Sequence, residues 1–177
     1  IAINFCHSRG LKNIIKCPVE SIEHKDKTFD IVTCLDLLEH VPDAHKALSE
    51  IRRVLKDNGK IIIMVPALKI LWSQHDEALS HLRRYEKESL LYDIFEAYLK
   101  AENINFFFFT SFFFVFPIRI IRKFLPLRIK AKSDTTTLPA AFLNTFLKFI
   151  FSIEIKISDK INLPFGTTIY AVVSKKG

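Results

Sequence analysis

Cysteine is sparse and unpatterned in this chain. The three cysteines, Cys6, Cys17 and Cys34, are odd in number and show neither a CxxC pair nor zinc-ribbon spacing. That excludes a disulfide framework and favours a reducing compartment. Glycine is scarce, at 4 residues, and no internal repeat is present. Nor is any apolar run long enough to cross a membrane. The stretch Ile104–Ile118, INFFFFTSFFFVFPI, carries no charge but falls short of the roughly 20 residues a spanning helix requires. It also contains Asn105, Thr110, Ser111 and Pro117, and reads as a buried strand followed by a second apolar element. The chain opens on IAINFC, with no Met and no charged segment of the signal-peptide kind, as expected of a piece of a longer protein.

What is present is a half-apolar chain of 177 residues, enough for one domain and one core. Lys and Arg number 26 against 19 Asp and Glu, a net charge of +7 that is unevenly spread. Between Pro117 and Lys132 stand Arg119, Arg122, Lys123, Arg128, Lys130 and Lys132, with no acidic residue among them. In Phe112–Leu127 the first of these cations alternate with Phe, Ile and Leu at near-helical spacing. That pattern suits an amphipathic helix at an anionic membrane surface, a lid over a lipophilic acceptor, or a core helix with a polar flank. Peripheral membrane contact is therefore expected through 112–132, and nucleic acid is not, because no aromatic–basic interleaving outside this stripe forms a base-stacking platform.

The elements follow from periodicity and turn chemistry. Ile1–Arg9 reads as the tail of a helix ending at Gly10, and Asn13–Val19 as a short strand. Phe29–Asp36, FDIVTCLD, reads as a buried strand with polar groups at its end. Asp43 is a good N-cap, and Leu48, Ile51, Val54 and Leu55 repeat at helical spacing, with Arg52, Arg53 and Lys56 in the last turns. Asp57–Asn58–Gly59 supplies a stop, and Lys60–Ala67, KIIIMVPA, is apolar enough for a central strand buried on both faces. Strand, helix and strand with short turns make a βαβ unit and a parallel pair. Glu86–Lys100 gives a further helix with Leu90, Leu91, Ile94, Phe95 and Tyr98 on its buried side. Ile104–Phe109 and Thr167–Ser174 give two more strands, with two helical pieces between them, around 112–125 and 138–152. One domain over 1–177 with a helical insertion or lid at 111–165 accounts for the whole pattern.

The block FDIVTCLDLLEHVPDAHKALSEIRRVLKDNGKIIIMVPA resembles the second half of class I S-adenosylmethionine-dependent methyltransferases, as do LWSQHDEALSHLRRY and LPFGTTIYAVV. The resemblance implies an α/β, Rossmann-like doubly wound sheet whose last strand is antiparallel, with the chain supplying strands three to seven. The first strands, with the glycine-rich turn and ribose-binding acid, are expected before Ile1. It implies S-adenosylmethionine as cofactor and, in the cytoplasm or at the inner face of the membrane, O-methylation of a small or lipid-like acceptor. Such a fragment is expected to be inactive alone. The alternative is a catalytically incompetent methyltransferase-like module with a scaffolding or membrane-surface role.

The same resemblance places cofactor contacts. The adenine position after the short strand falls on Pro18, which leaves contacts from Val19 and Glu20, and Leu35 and Asp36 lie beside the sulfonium. Asp36, Glu39 and His40 match positions that hold a divalent cation in ubiquinone-biosynthesis O-methyltransferases. On one helical turn they share a face, and an oxygen-rich set with one imidazole suits magnesium. The second constellation is LWSQHDEALSHLRRY. If Asp76–Tyr85 is helical, Glu77, His81 and Tyr85 share a face. His81 or His75, with Asp76 in the same segment, then becomes a candidate general base over the acceptor pocket. Both constellations have a plainer reading, in which hydrogen bonds hold the loop and Arg83 and Arg84 are solvated charges.

Overall fold

The computed structural model describes residues 2–124, 141–158 and 160–176. Arg128, Lys130 and Lys132 of the basic stripe lie outside the described residues. Helix α1 (Ala2–Ser8) ends as expected near Gly10, whose φ of 81° is the left-handed conformation that glycine accommodates. The next segment departs from expectation, because Asn13–Val19 forms no strand. A strand needs a ladder, and the edge strand β1 (Phe29–Leu35) is paired with β2 (Leu55–Pro66) alone.

Strands β1 and β2 run parallel and are joined by α2 (Ala44–Val54), the expected βαβ unit. The helix starts where its chemistry directs. The Asp43 carboxylate accepts from the Lys46 N–H at 2.9 Å, and Ala44, Ala47, Leu48, Ile51 and Val54 are buried along one stripe. The Asp57–Asn58–Gly59 stop is absorbed into β2 as a bulge. Phe29 lies opposite Leu55, yet Ile31 lies opposite Lys60. A β-carbon at Gly59 would stand 2.7 Å from Leu55 and 2.9 Å from the Asp30 carbonyl, so the bulge needs glycine. Beyond it, Ile61, Ile63 and Val65 are fully buried while Ile62 and Met64 are half-buried. The expectation of a strand buried on both faces is thus corrected, since the described residues cover the second face only in part.

Two antiparallel pairings complete the sheet. The last strand, β4 (Thr168–Lys175), lies between β2 and β3 (Leu99–Phe107), giving the order β1-β2-β4-β3. Helix α4 is shorter than expected, Lys87–Glu96, and β3 begins at Leu99 rather than Ile104. Tyr98 at φ 54° makes the turn between them. Leu90, Ile94 and Ala97 form the core stripe of α4, whereas Leu91, Phe95 and Tyr98 make a second stripe that faces solvent. The apolar content of the helix was wide enough to serve either face, and the neighbouring helix α2 settled which one packs.

Between β3 and β4 stand α5 (Phe109–Phe124) and α6 (Ala141–Ser158), the two helical pieces expected there. Glu154 of α6 accepts from the Phe109 and Thr110 N–H groups and the Thr110 hydroxyl, capping α5 from outside its own sequence. Asn105 ties the chain after α6 to β3. Its amide donates to the Ser158 and Ile161 carbonyls and accepts from Leu163 N–H. Phe113, Phe114, Ile118, Phe146 and Phe149 remain exposed on these helices. No described helix is long and apolar enough to cross a membrane.

Candidate functional site

In an open α/β sheet, ligands bind beyond the carboxyl ends of the parallel strands. Here β1 and β2 both end at a cavity of about 380 Å³ lined by Asp36, Glu39, His40, His75, His81 and Arg119, among others. A larger hollow of about 490 Å³ lies at Asp26, Lys27, Arg53, Asp57 and Lys175. Its charges are spent on one another, with Lys27–Asp57 at 2.7 Å and Arg53–Asp26 at 2.6 Å, so the strand-end cavity is the chemical site.

The strand β1 hands its polypeptide to the cavity through Asp36, at φ 47°, a left-handed conformation that Asp tolerates better than most residues. Its N–H donates to the Met64 carbonyl at 3.0 Å, fixing the turn against β2, and its carboxylate is exposed. One short 3-10 turn later, Leu38 and Glu39 are buried and His40 is exposed. Burial pushes the Glu39 carboxyl up to about 7, and the neighbouring Asp36 charge adds to the effect. The same burial, reinforced by Glu39 and Asp36, pushes the Cys34 thiol up to about 12.

The second wall comes from α3 (Gln74–Ala78) and the turn that follows. Helix over Asp76–Tyr85 is not what forms. α3 stops at Ala78, Ser80 takes φ 58°, and Tyr85 returns to pair with Ala67 as an isolated bridge. Glu77 is therefore exposed and Tyr85 is buried in the core, and the carboxylate that meets His81 is Asp76. Asp76 is wholly buried. Its Oδ2 accepts from the Ser73 N–H at 2.9 Å, closing a capping box, and from Arg119 at 3.3 Å. Its Oδ1 accepts from Arg84 Nε at 2.7 Å and faces His81 Nδ1 at 3.1 Å. Burial alone would raise this carboxyl, but Arg84, His81 and Arg119 outweigh it and hold Asp76 below the usual carboxylate range.

The structure thus brings Asp36, Glu39, His40, His75 and His81 to one cavity, with Asp76 directly behind His81. Val19, Glu20 and Leu35 do not line it. Val19 packs half-buried against the core, Glu20 sits half-buried in a turn, and Leu35 is 50% exposed at the sheet edge. Sequence reasoning missed Arg84 and Arg119. Arg84 is 6% exposed, and nothing in RRY distinguishes it from Arg83, which instead caps the Val41 and Pro42 carbonyls. Arg119 belongs to the basic stripe but turns inward, donating to the Leu71 carbonyl and to Asp76.

Fold and cavity together define the class. A parallel pair followed by an antiparallel last strand, with a polar crevice at the strand ends, is the class I methyltransferase arrangement. Residues 2–63 match the methyltransferase domain family model. The uncharacterised methyltransferase YcgJ of Bacillus subtilis is 32% identical over 94 residues, which cover 50% of this chain and 36% of that protein. The ubiquinone biosynthesis O-methyltransferase of Coxiella burnetii is 36% identical over 62 residues, covering 34% of this chain and 26% of that protein. A SAM-dependent methyltransferase of Archaeoglobus fulgidus superposes over 98% of this chain and 71% of its own, with a TM-score of 0.54 at 20% identity. The resemblance is borne out, and this chain has a fold of the class I methyltransferase type. It spans between 26% and 52% of the length of these and other curated relatives it matches.

Proposed function

We propose that this chain supplies the acceptor side of S-adenosylmethionine-dependent methyl transfer to an oxygen of a small or lipid-like acceptor. The observation that carries the reading is the strand-end cavity, where three imidazoles and the exposed Asp36 carboxylate converge. S-adenosylmethionine, when bound, supplies a methyl group on a positively charged sulfonium. The Asp36 carboxylate at the end of β1 complements that charge, so the residues present fit the cofactor's reactive end. Transfer is an in-line displacement, and the protein's first task is to hold the acceptor in line.

The second task concerns the acceptor's proton. A hydroxyl is a poor nucleophile until its proton is held less tightly, and His40, His75 and His81 form an imidazole wall suited to that purpose. Asp76 fixes the His81 ring from behind. The acceptor's apolar character is supported by α5, which lends Val115 and Arg119 to the cavity and carries exposed Phe113, Phe114 and Ile118 outside it. The same exposed apolar face supports contact with a lipid surface. The Coxiella relative, by its name, acts on oxygen.

The test, on a protein that joins the expected first strands to this chain, is transfer of labelled methyl from S-adenosylmethionine to phenolic acceptors with and without an alkyl tail. The expected product is an O-methyl ether, formed faster on the tailed acceptor, with kcat/KM falling about 100-fold in His81→Ala. Label on amines alone would move the reading to nitrogen.

A further inference from the structure

Glu39 is a buried carboxyl group with no cation hydrogen-bonded to it. The residue is 0% exposed, and neither Oε1 nor Oε2 has a hydrogen-bond partner among the described residues. The Arg84 guanidinium lowers the Glu39 carboxyl through its charge, but its Nε goes to Asp76 and its Nη1 to the Ala67 carbonyl, each at 2.7 Å. A charge buried this way is unfavourable, and a bound cation would stabilise the ionised form.

Two imidazoles stand beside it. One ligand-capable atom from each of Glu39, His40 and His81 lies within 4.8 Å of the others. The two rings meet edge to face, 4.8 Å between centroids. Both are held from behind, His81 Nδ1 by Asp76 Oδ1 at 3.1 Å and His40 Nδ1 by the Ser80 carbonyl at 3.3 Å. An Nδ1 that faces an acceptor carries the proton, which leaves the Nε2 lone pair available. A carboxylate or carbonyl behind a histidine is the outer-shell arrangement that orients metal ligands. The segments themselves are stitched together, Leu82 N–H donating to the Glu39 carbonyl at 2.7 Å.

We propose that Glu39, His40 and His81 form a site for one divalent cation of the zinc and cobalt kind. Magnesium, expected on Asp36, Glu39 and His40, does not fit: Asp36 lines the cavity but stands outside the cluster, and the gathered donors are two imidazoles and one carboxylate. Imidazole-rich sets suit borderline transition ions, while magnesium wants oxygen in near-octahedral array. A tetrahedral ion at about 2.1 Å holds its ligands about 3.4 Å apart, so the cluster closes on the ion by roughly 1.4 Å. His40 is exposed, which leaves open coordination positions toward the cavity. Only the chemical use of the ion, polarising an acceptor oxygen in place of proton transfer to His40 or His81, rests on the methyl-transfer reading; its binding does not.

The test is titration of chelator-stripped protein with Co²⁺ and with Mg²⁺, followed by calorimetry and by the visible absorption of bound Co²⁺. One Co²⁺ per chain is expected, in a site of low coordination number that equimolar Mg²⁺ does not displace. His40→Ala, His81→Ala and the supporting Asp76→Asn should each weaken binding at least about tenfold, and Asp36→Asn less than about twofold. Glu39→Gln should abolish binding while raising the melting temperature of the stripped protein, which separates loss of the site from loss of the fold. Absence of saturable Co²⁺ binding overturns the proposal, as does displacement by Mg²⁺ or an Asp36→Asn effect equal to that of His81→Ala. Co²⁺ binding without methyl transfer to any hydroxyl acceptor keeps the cation site and removes the methyl-transfer reading instead.

Discussion

Asp76 Oδ1 and His81 Nδ1 stand 3.1 Å apart, the carboxylate fully buried and the imidazole lining the strand-end cavity. The same carboxylate answers two arginines, Arg84 from its own segment and Arg119 from α5. One acid therefore orients the site, neutralises a buried guanidinium and anchors the insertion.

Asp76→Asn should consequently cost more than a typical surface ion pair. Arg84 would be left buried without its charge partner, a loss of about 3 kcal/mol in urea unfolding. A loss below about 1 kcal/mol would show that the arginines find other partners.

A pH effect is expected at Glu50, away from the cavity. Its carboxylate accepts from Arg53 at Nε and Nη2 and from the Ile22 N–H. The Arg53 hydrogen bonds hold its carboxyl below the ordinary range, against the smaller effect of burial. A depressed folded value means that the contribution is present above the unfolded value of about 4.3 and is lost as pH falls through the folded one. Glu50→Gln should lower the urea midpoint at neutral pH, and the gap to the parent should close as the pH is taken below about 4. A gap that persists in acid would assign the effect to packing.

The two stripes of α4 separate cleanly by substitution. Leu90→Ala, at a fully buried position, should cost about 3 kcal/mol. Leu91→Ala, one residue on and 38% exposed, should stay within about 0.5 kcal/mol. Equal costs would mean that the second stripe is covered in solution.

Gly166 sits where the chain turns into β4, and a β-carbon there would run into the Phe107 carbonyl and the Phe106 side chain. Gly166→Ala should destabilise by about 2 kcal/mol through overpacking. A neutral substitution would require β3 to shift, visible as faster amide exchange at Phe106 and Phe107.

Much of this architecture was legible in the residues. Asp43, the Leu48–Ile51–Val54 stripe and the β-branched run before Asp36 have strong local preferences, and the βαβ unit followed from them. The antiparallel last strand and the polar cluster at the strand ends came from the resemblance of whole blocks. Local preference failed where a distant partner decided. Asn13–Val19 has strand-like residues but no ladder to join, and Leu91, Phe95 and Tyr98 are as apolar as the stripe that packs. The candidate site was half visible. Its residues could be named, but the helix assumed over Asp76–Tyr85 paired His81 with Glu77, whereas the turn at Ser80 gives it Asp76. That turn also carries His81 to Glu39 and His40, a meeting that depends on tertiary contact and leaves no trace in spacing.

The segment after α3 is fastened at several points: Leu82 to Glu39, Tyr85 to Pro66 and Leu68, and Ala67 to Tyr85. Helix α5 reaches Leu71 and Asp76, just ahead of that segment, through Arg119. On the proposed methyl-transfer reading, the imidazoles and the helical cover therefore meet through one carboxylate, Asp76, and have other anchors of their own. On that reading, changes in the helical cover that spare Arg119 would alter the preferred acceptor while the imidazoles beneath keep their mutual positions.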